Sequence, residues 1–173
     1  CEQAARKENY SVTLYNFLGD VELEECLLRK LQEQRVDAAI LLGGRDDELN
    51  TDITYVETIN SALSTIPTVI TGRLDGTDCN MVRINHMRSM DLLMDHLLSL
   101  GHSRIAVLGG RMDVLSTFEK VARFKQILKR NRLTFEPDLI GQNGMYDIDS
   151  GYTHMNRILE KGLAPTAVIA VND

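Results

Sequence analysis

The sequence predicts an α/β protein with doubly wound parallel sheets. Short apolar runs alternate with longer segments of helical periodicity, and Ile105–Leu108 is one such run. An uninterrupted apolar run is typical of a strand covered on both faces, as in a parallel sheet. Glycine pairs follow two of these runs, at 43–44 and 109–110, and would turn the chain at the strand ends where ligands bind in such sheets. This alternation predicts right-handed β-α-β crossovers.

Composition narrows the class of protein. The chain has 173 residues, of which 43% are hydrophobic, so a buried core can form. Its formal charge of −6, with acidic and basic residues interspersed, argues against a broad nucleic-acid-binding surface. The three cysteines, Cys1, Cys26 and Cys79, are scattered and indicate a reducing compartment rather than a disulfide framework. We therefore expect a soluble, cytoplasmic protein.

In the first half, we expect helices at 2–8 and 53–64, and another that begins after Asp20 and includes Leu31. Asp20 is a suitable N-cap for this last helix. Its predicted buried face consists of Leu23, Leu27, Leu28 and Leu31. Alternation or apolar character predicts strands at 10–15, 36–42, 67–71 and 81–84.

In the second half, a long helix is predicted at 86–100 and ends at Gly101. Its predicted buried face is Leu92, Leu93, His96, Leu97 and Leu100. A helix at 117–131 should be buried through Val121, Phe124, Ile127 and Leu128. A last helix at 150–161, with Tyr152, Met155, Ile158 and Leu159 inward, leads to a strand at 167–171.

Motifs for catalysis or metal binding are weak. The adjacent carboxylates Asp46 and Asp47 could bind a metal or transfer protons, but no second cluster supports this, so we favour a solvated acidic loop. The four histidines lack convincing ligand spacing, and the common nucleotide-binding and hydrolase motifs do not occur. We expect no enzyme activity, no metal site and no cofactor, although a small α/β enzyme remains a third hypothesis.

The predicted elements divide the chain into two lobes with a cleft between them. We place the boundary so that residues 1–90 form the first lobe and 91–173 the second. The chain starts at Cys1 and stops just after its last predicted strand. We therefore expect the fold to be incomplete at both ends, with the N-terminal strand and the C-terminal part missing.

Several stretches together resemble the effector-binding domain of LacI-type transcriptional regulators. They include Asn85-His86, the run from His96 to Ala106, Gly151-Tyr152 and the final run from Pro165 to Asp173. The resemblance extends over nearly the whole chain, and it implies a two-lobed fold like that of periplasmic sugar-binding proteins, a homodimer and no membrane attachment. It also implies a small-molecule effector, such as a sugar, sugar phosphate or nucleoside. Operator DNA would be bound by a helix-turn-helix domain that this chain lacks.

The resemblance also suggests which residues bind the effector. Lys120 stands where relatives commonly have an arginine, and Arg88 stands where a member of the family has an acidic residue. Tyr146 matches an aromatic position, and Asn172, followed by Asp173, matches a polar position at a strand end. The alternative is that some of these are ordinary surface positions. Two cations beside Asn172 would favour an anionic or strongly polar ligand.

Two functions remain open at this point. The first is an effector-sensing and dimerisation domain of a LacI-type regulator. The alternative is a periplasmic or transport-associated sugar-binding protein with the same fold. A helix-turn-helix before this region would favour regulation, whereas a secretory signal would favour transport.

Overall fold

The computed structural model contains two parallel sheets flanked by helices, and it describes residues 1–17, 20–43, 45–141 and 144–172. The first sheet has the order β1 (Ala39–Leu41), β2 (Thr68–Ile70) and β3 (Asn80–Met81). The second pairs β4 (Ile105–Leu108) with β5 (Ala167–Ala170) in register from Ile105 and Ala167 onward. The predicted α/β fold with parallel sheets is therefore confirmed.

Helices occupy most of the connections. In chain order they are α1 (Glu2–Lys7), α2 (Val21–Glu33), α3 (Ile53–Ala62), α4 (His86–Ser99), α5 (Leu115–Arg130) and α6 (Ile148–Glu160). Single 3-10 turns lie at Arg45–Asp47 and Pro137–Leu139. The predicted N-cap Asp20 accepts a hydrogen bond from the Leu23 amide at 3.0 Å, which satisfies one of the unpaired donors at the start of α2.

Each sheet has its own apolar cluster. Around the first sheet, residues of α3 pack against β2, with Ile59 and Ile70 fully buried. Around the second, α4 and α5 pack against β4 and β5, and Phe124 is almost completely buried. The predicted buried face of α5 is confirmed, because the remaining three predicted positions, Val121, Ile127 and Leu128, are also buried. This packing fixes α5 relative to the ends of β4 and β5.

The buried face of α4 differs from the predicted one. Met90 and Met94 are buried against the second sheet, with Leu97 partly buried, whereas Leu92, Leu93 and Leu100 are exposed. Residues 90, 94 and 97 form one stripe of the helix, and 93 and 100 belong to the neighbouring stripe. Because both stripes are apolar, periodicity alone selected the wrong one. In α6, likewise, Ile158 is buried but Tyr152 and Leu159 are exposed.

One predicted strand is absent, and several others are shorter than predicted. Residues 10–15 belong to no strand and are mostly exposed, so alternation there is not matched by pairing within the described part of the chain. β3 contains only Asn80 and Met81, which pair with Val69 and Ile70, while Val82 and Ile84 are exposed. A strand needs a neighbour to pair with, and that neighbour cannot be read from the strand's own residues.

No helix in the described ranges is both long and apolar enough to cross a membrane. The lobe boundary between residues 90 and 91 stays a prediction.

Candidate ligand-binding site at the ends of β4 and β5

The turn after β4 brings α5 close to β5. Gly109 and Gly110 have φ values of +87° and +78°, which side chains other than glycine rarely adopt. A Cβ atom at position 110 would lie 2.5 Å from the Thr117 Oγ1 and 3.0 Å from the Val171 side chain. Glycine here therefore allows the first turns of α5 to pack directly beside the carboxyl end of β5.

Lys120 places a cation at that end of the sheet. Its ammonium donates a hydrogen bond to the Val171 carbonyl at 2.7 Å, and the side chain is half-buried. Burial lowers the pKa of Lys120 below its ordinary value, while the nearby Asp47 carboxylate raises it. The predicted site residue thus lies where a ligand of a parallel sheet is expected.

Tyr146 and Asn172 lie beside the same strand end. The Tyr146 hydroxyl is hydrogen-bonded to the buried Thr117 hydroxyl at 2.7 Å. The Asn172 amide donates to the Tyr146 carbonyl at 3.5 Å, a long bond. Tyr146 is 40% exposed and Asn172 is also exposed, so both side chains retain groups that a ligand could contact. The structure therefore brings three predicted site residues together.

Arg88 is not part of this cluster. It is exposed in the first turn of α4, and its backbone amide donates to the Asn85 side chain at 2.9 Å. Its charge helps to lower the pKa of Asp91, for which the hydrogen bond from Arg123 is the main cause. The expected pair of cations beside Asn172 is therefore not formed. Asp173, the fifth predicted site residue, lies outside the described residues.

His86, at the start of α4, lies near Lys120 instead. Burial is the main cause of its lowered pKa, and the Lys120 charge is the next. Its Nδ1 atom is buried and has no hydrogen-bond partner among the described residues. The sequence offered one signal for this position: His86 follows the N-cap Asn85 at the entry to the second sheet's helices. Thr117 was missed as well, although it lies one turn before Lys120 on the same helix.

A loop from the first sheet completes the surroundings. The Asp47 carboxylate accepts a hydrogen bond from the Ser116 amide, the second residue of α5, at 3.1 Å. The Leu49 amide donates to the Asp113 carbonyl at 2.8 Å. Beside these contacts is a depression of about 660 Å³, lined by Leu49, Arg111, Met112, Asp113 and Met145. The candidate site is thus bordered by both sheets.

The prediction of a solvated acidic loop is wrong for Asp46. Its side chain is 0% exposed, and its two carboxylate oxygens have no hydrogen-bond partner among the described residues. Burial, followed by the charge of Asp47, raises the pKa of Asp46 to about 7. Its charge indicated a surface position, but the fold buries the side chain of this loop residue completely.

The chemistry of the site is hydrogen bonding. An ammonium group, an amide and two hydroxyls can orient a polar ligand through donors and acceptors. No group of three or more His, Cys, Asp or Glu residues within the described ranges could hold a metal ion.

Comparison with known proteins identifies the family of the chain. The family described as "Periplasmic binding proteins and sugar binding domain of LacI family" matches residues 1–173. The ribose operon repressor of Escherichia coli K12 is 28% identical over 174 residues, which cover 99% of this chain and 50% of the repressor. The lactose operon repressor of the same strain is 29% identical over 153 residues, which cover 88% of this chain and 40% of the repressor.

Solved structures give the same result. The lac repressor dimer bound to operator and the anti-inducer ONPF has a TM-score of 0.76 and 25% identity, covering 99% of this chain and 50% of that chain. A dimeric lac repressor with an 11-residue C-terminal deletion has a TM-score of 0.79 and 25% identity, covering 99% of this chain and 60% of that one. The chain spans half or less of the length of the ribose and lactose operon repressors.

Proposed function

Because the chain belongs to the family of periplasmic binding proteins and LacI-type sugar-binding domains, we propose that it senses a small polar effector for a cytoplasmic transcriptional regulator. The observation that carries the proposal is the cluster of Lys120, Tyr146 and Asn172 at the carboxyl end of β5. The named relatives are the ribose and lactose operon repressors, which favours regulation over transport.

The effector would bind between the two sheets. Lys120, Tyr146 and Asn172 contact it from the second sheet, and loop residues such as Asp47 face it from the first. A ligand that contacts both sides favours one relative position of the lobes and so shifts a conformational equilibrium. Operator DNA would be bound by a helix-turn-helix domain outside this chain. Coupling between the two sites is reciprocal and typically about 1–3 kcal/mol.

The ligand class that fits is a small molecule rich in hydroxyl groups, such as a sugar, a sugar phosphate or a nucleoside. One half-buried ammonium, from Lys120, is available to a charged oxygen, but Asp47 lies near it. Arg88 lies elsewhere and adds no second cation. The proposed ligand class therefore includes both neutral sugars and anions that are bound by the Lys120 ammonium alone.

We also propose that the chain acts as a homodimer, formed through helices of the first lobe. Sedimentation equilibrium should show a concentration-dependent dimer of the 173-residue chain. A monomer at high concentration would count against this assembly while leaving ligand binding open to its own test. The chain alone should show no sequence-selective binding to operator DNA.

The proposed function is tested by a thermal-shift screen of the chain with sugars, sugar phosphates and nucleosides. At least one compound should raise the melting temperature, since a ligand that binds only the folded state stabilises it. The hit is then repeated with Lys120→Met and, as a matched control, Lys129→Met, which removes an exposed cation from the same helix. A shift retained in both variants, or no hit in the screen, would contradict the proposed site.

A further inference from the structure

The segment 45–49 joins the two sheets through contacts on both of its sides. Toward the first sheet, the Asp46 carbonyl accepts a hydrogen bond from the Arg73 amide at 2.9 Å, in the turn after β2. Toward the second, Asp47 and Leu49 contact the start of α5 and the turn before it. Glu48 also forms an isolated antiparallel bridge with Val114. We name this segment the bridging loop.

The bridging loop supplies the cap that α5 does not have. Val114 is the N-cap residue of α5 and forms no side-chain capping bond. The Asp47 carboxylate accepts from the Ser116 amide instead, so the helix start is capped by a residue of the loop that follows β1. A carboxylate at this position also interacts favourably with the positive end of the helix dipole. Leaving this position would therefore cost α5 a capping interaction.

Where the bridging loop packs against the first sheet, the Asp46 side chain is a buried carboxyl group. Both oxygens of Asp46 are buried and have no hydrogen-bond partner in the described ranges. Close approach of the loop is possible because position 72 is glycine, where a Cβ atom would lie 2.9 Å from the Asp46 carbonyl oxygen. A buried, unpaired carboxylate is strongly unfavourable, so the seated loop favours a neutral carboxylic acid.

We infer that the bridging loop is a proton-dependent latch between the two sheets. With a neutral Asp46 carboxyl the loop stays seated, and Asp47 and Leu49 hold the start of α5. When Asp46 loses its proton, the carboxylate moves toward water and the contacts with Ser116 and Asp113 open. The latch lies beside the candidate ligand site, so its state would set how open that site is.

The groups around Asp46 make its ionisation still less favourable. Asp47 on the loop and Glu24 on α2 both raise the pKa of Asp46, after the larger effect of burial, whereas the backbone amide of Asp46 lowers it. Glu24 is itself buried and accepts a hydrogen bond from the Tyr55 hydroxyl of α3 at 2.7 Å. Burial raises the pKa of Glu24 above its ordinary value, and the Tyr55 hydrogen bond and the Arg45 charge offset only part of this rise. Arg45 lies over the Tyr55 ring at 4.3 Å. Of the groups on α4 and α5, His86 and Lys120 face Asp47.

Hydrogen exchange of the 173-residue chain, read residue by residue by NMR, tests the latch. Protection factors corrected for the intrinsic pH dependence are measured from pH 5 to pH 8 for the Leu49 and Ser116 amides. We expect both factors to fall at least about tenfold between pH 5 and pH 7 and then to level off. The Gly141 amide, which donates to Val107 at 2.8 Å beside the second sheet, is the internal reference and should not follow this profile.

The variant Asp46→Asn keeps the size of the side chain and cannot ionise, so protection of Leu49 and Ser116 should become independent of pH. The matched control is Asp37→Asn, which removes an exposed carboxylate from the same sheet region and should retain the wild-type profile. Flat protection in the wild type, or a pH profile that survives Asp46→Asn, would overturn the inference. If Asp46→Asn does not fold, the carboxyl carbon shift of Asp46 in the wild type decides: titration at its ordinary value would overturn the latch.

Discussion

Glycine follows both β1 and β4, yet the two glycine turns have different surroundings. After β4, Gly110 lies against Thr117 and Val171 and lets α5 pack on the strand ends. After β1, Gly43 also has a positive φ, +70°, but a Cβ there would meet no other atom within 4 Å. The same local pattern is thus closely packed against α5 and the end of β5 in one region. In the other region it leads into a loop that crosses to the opposite sheet.

Substitution of the two glycines should give the largest contrast. Gly110→Ala introduces both a disfavoured φ and a clash with Thr117, so we expect a loss of about 2–4 kcal/mol in the free energy of unfolding. Gly43→Ala introduces only the backbone strain and should cost about 1–2 kcal/mol. Urea denaturation measures both values. Equal losses would mean that close packing around Gly110 adds nothing to the cost of the substitution.

Removal of the Lys120 charge should weaken ligand binding more than any change on the outer face of α5. A charge-assisted hydrogen bond contributes roughly 1.5–3 kcal/mol, so Lys120→Met should raise the dissociation constant about tenfold or more. Titration calorimetry with a hit from the ligand screen provides the measurement. Lys129→Met, on the same helix, should bind with unchanged affinity. Matching affinities for the two variants would assign Lys120 to structure alone.

The buried acid of the bridging loop should make stability depend on pH. The pKa of Asp46 is raised from 3.8 to about 7, so the folded state binds this proton more tightly than the unfolded state does. Its stabilising contribution is complete below about pH 4 and is lost as pH rises toward 7, with a slope of at most about 1.4 kcal/mol per pH unit.

Urea denaturation at several pH values tests this dependence by comparing the wild type with Asp46→Asn. The difference in slope between the two proteins isolates Asp46 from the other carboxylates. An unchanged slope in Asp46→Asn would show that Asp46 is not protonated preferentially in the folded state.

The smallest expected effect comes from removing a helix cap. The cap of α5 is supplied by Asp47 of the bridging loop, whereas the cap of α2 is supplied by Asp20, the residue directly before that helix. Asp47→Ala and Asp20→Ala each remove one N-cap bond, to the amides of Ser116 and Leu23, and should each cost about 1 kcal/mol. Only Asp47→Ala should also accelerate exchange of the Leu49 amide, because the loop and α5 separate there. Equal exchange at Leu49 in both variants would contradict an intersheet role for Asp47.

The sequence was most informative where a local pattern leaves one solution. The run Ile105–Leu108 is a strand, as predicted. The helix α5 is buried through Val121 and Phe124, and most of its other positions are polar, so the pattern favours this face. In α4, two neighbouring apolar stripes exist, and only packing against the second sheet selects Met90 and Met94. Residues 10–15 alternate correctly but belong to no strand.

The candidate site was predictable to a similar extent. The resemblance pointed to Lys120, Tyr146 and Asn172, which do lie together. It also pointed to Arg88, which is exposed in the first turn of α4 and is not part of the cluster, since the rotation of a helix decides where its side chains lie. Burial of Asp46 depends on contacts between segments distant in sequence, among them the Arg73 amide, and composition favours the opposite conclusion.

We propose that the effector binds at the carboxyl ends of β4 and β5, facing the bridging loop. Backbone amide shifts of the chain, recorded during titration with a hit from the ligand screen, test it most directly. We predict that the largest changes cluster at Gly110, Thr117, Lys120, Tyr146 and Asn172, with smaller changes at Asp47. Saturable changes confined to other surfaces, such as α1 or the outer face of α6, would contradict it.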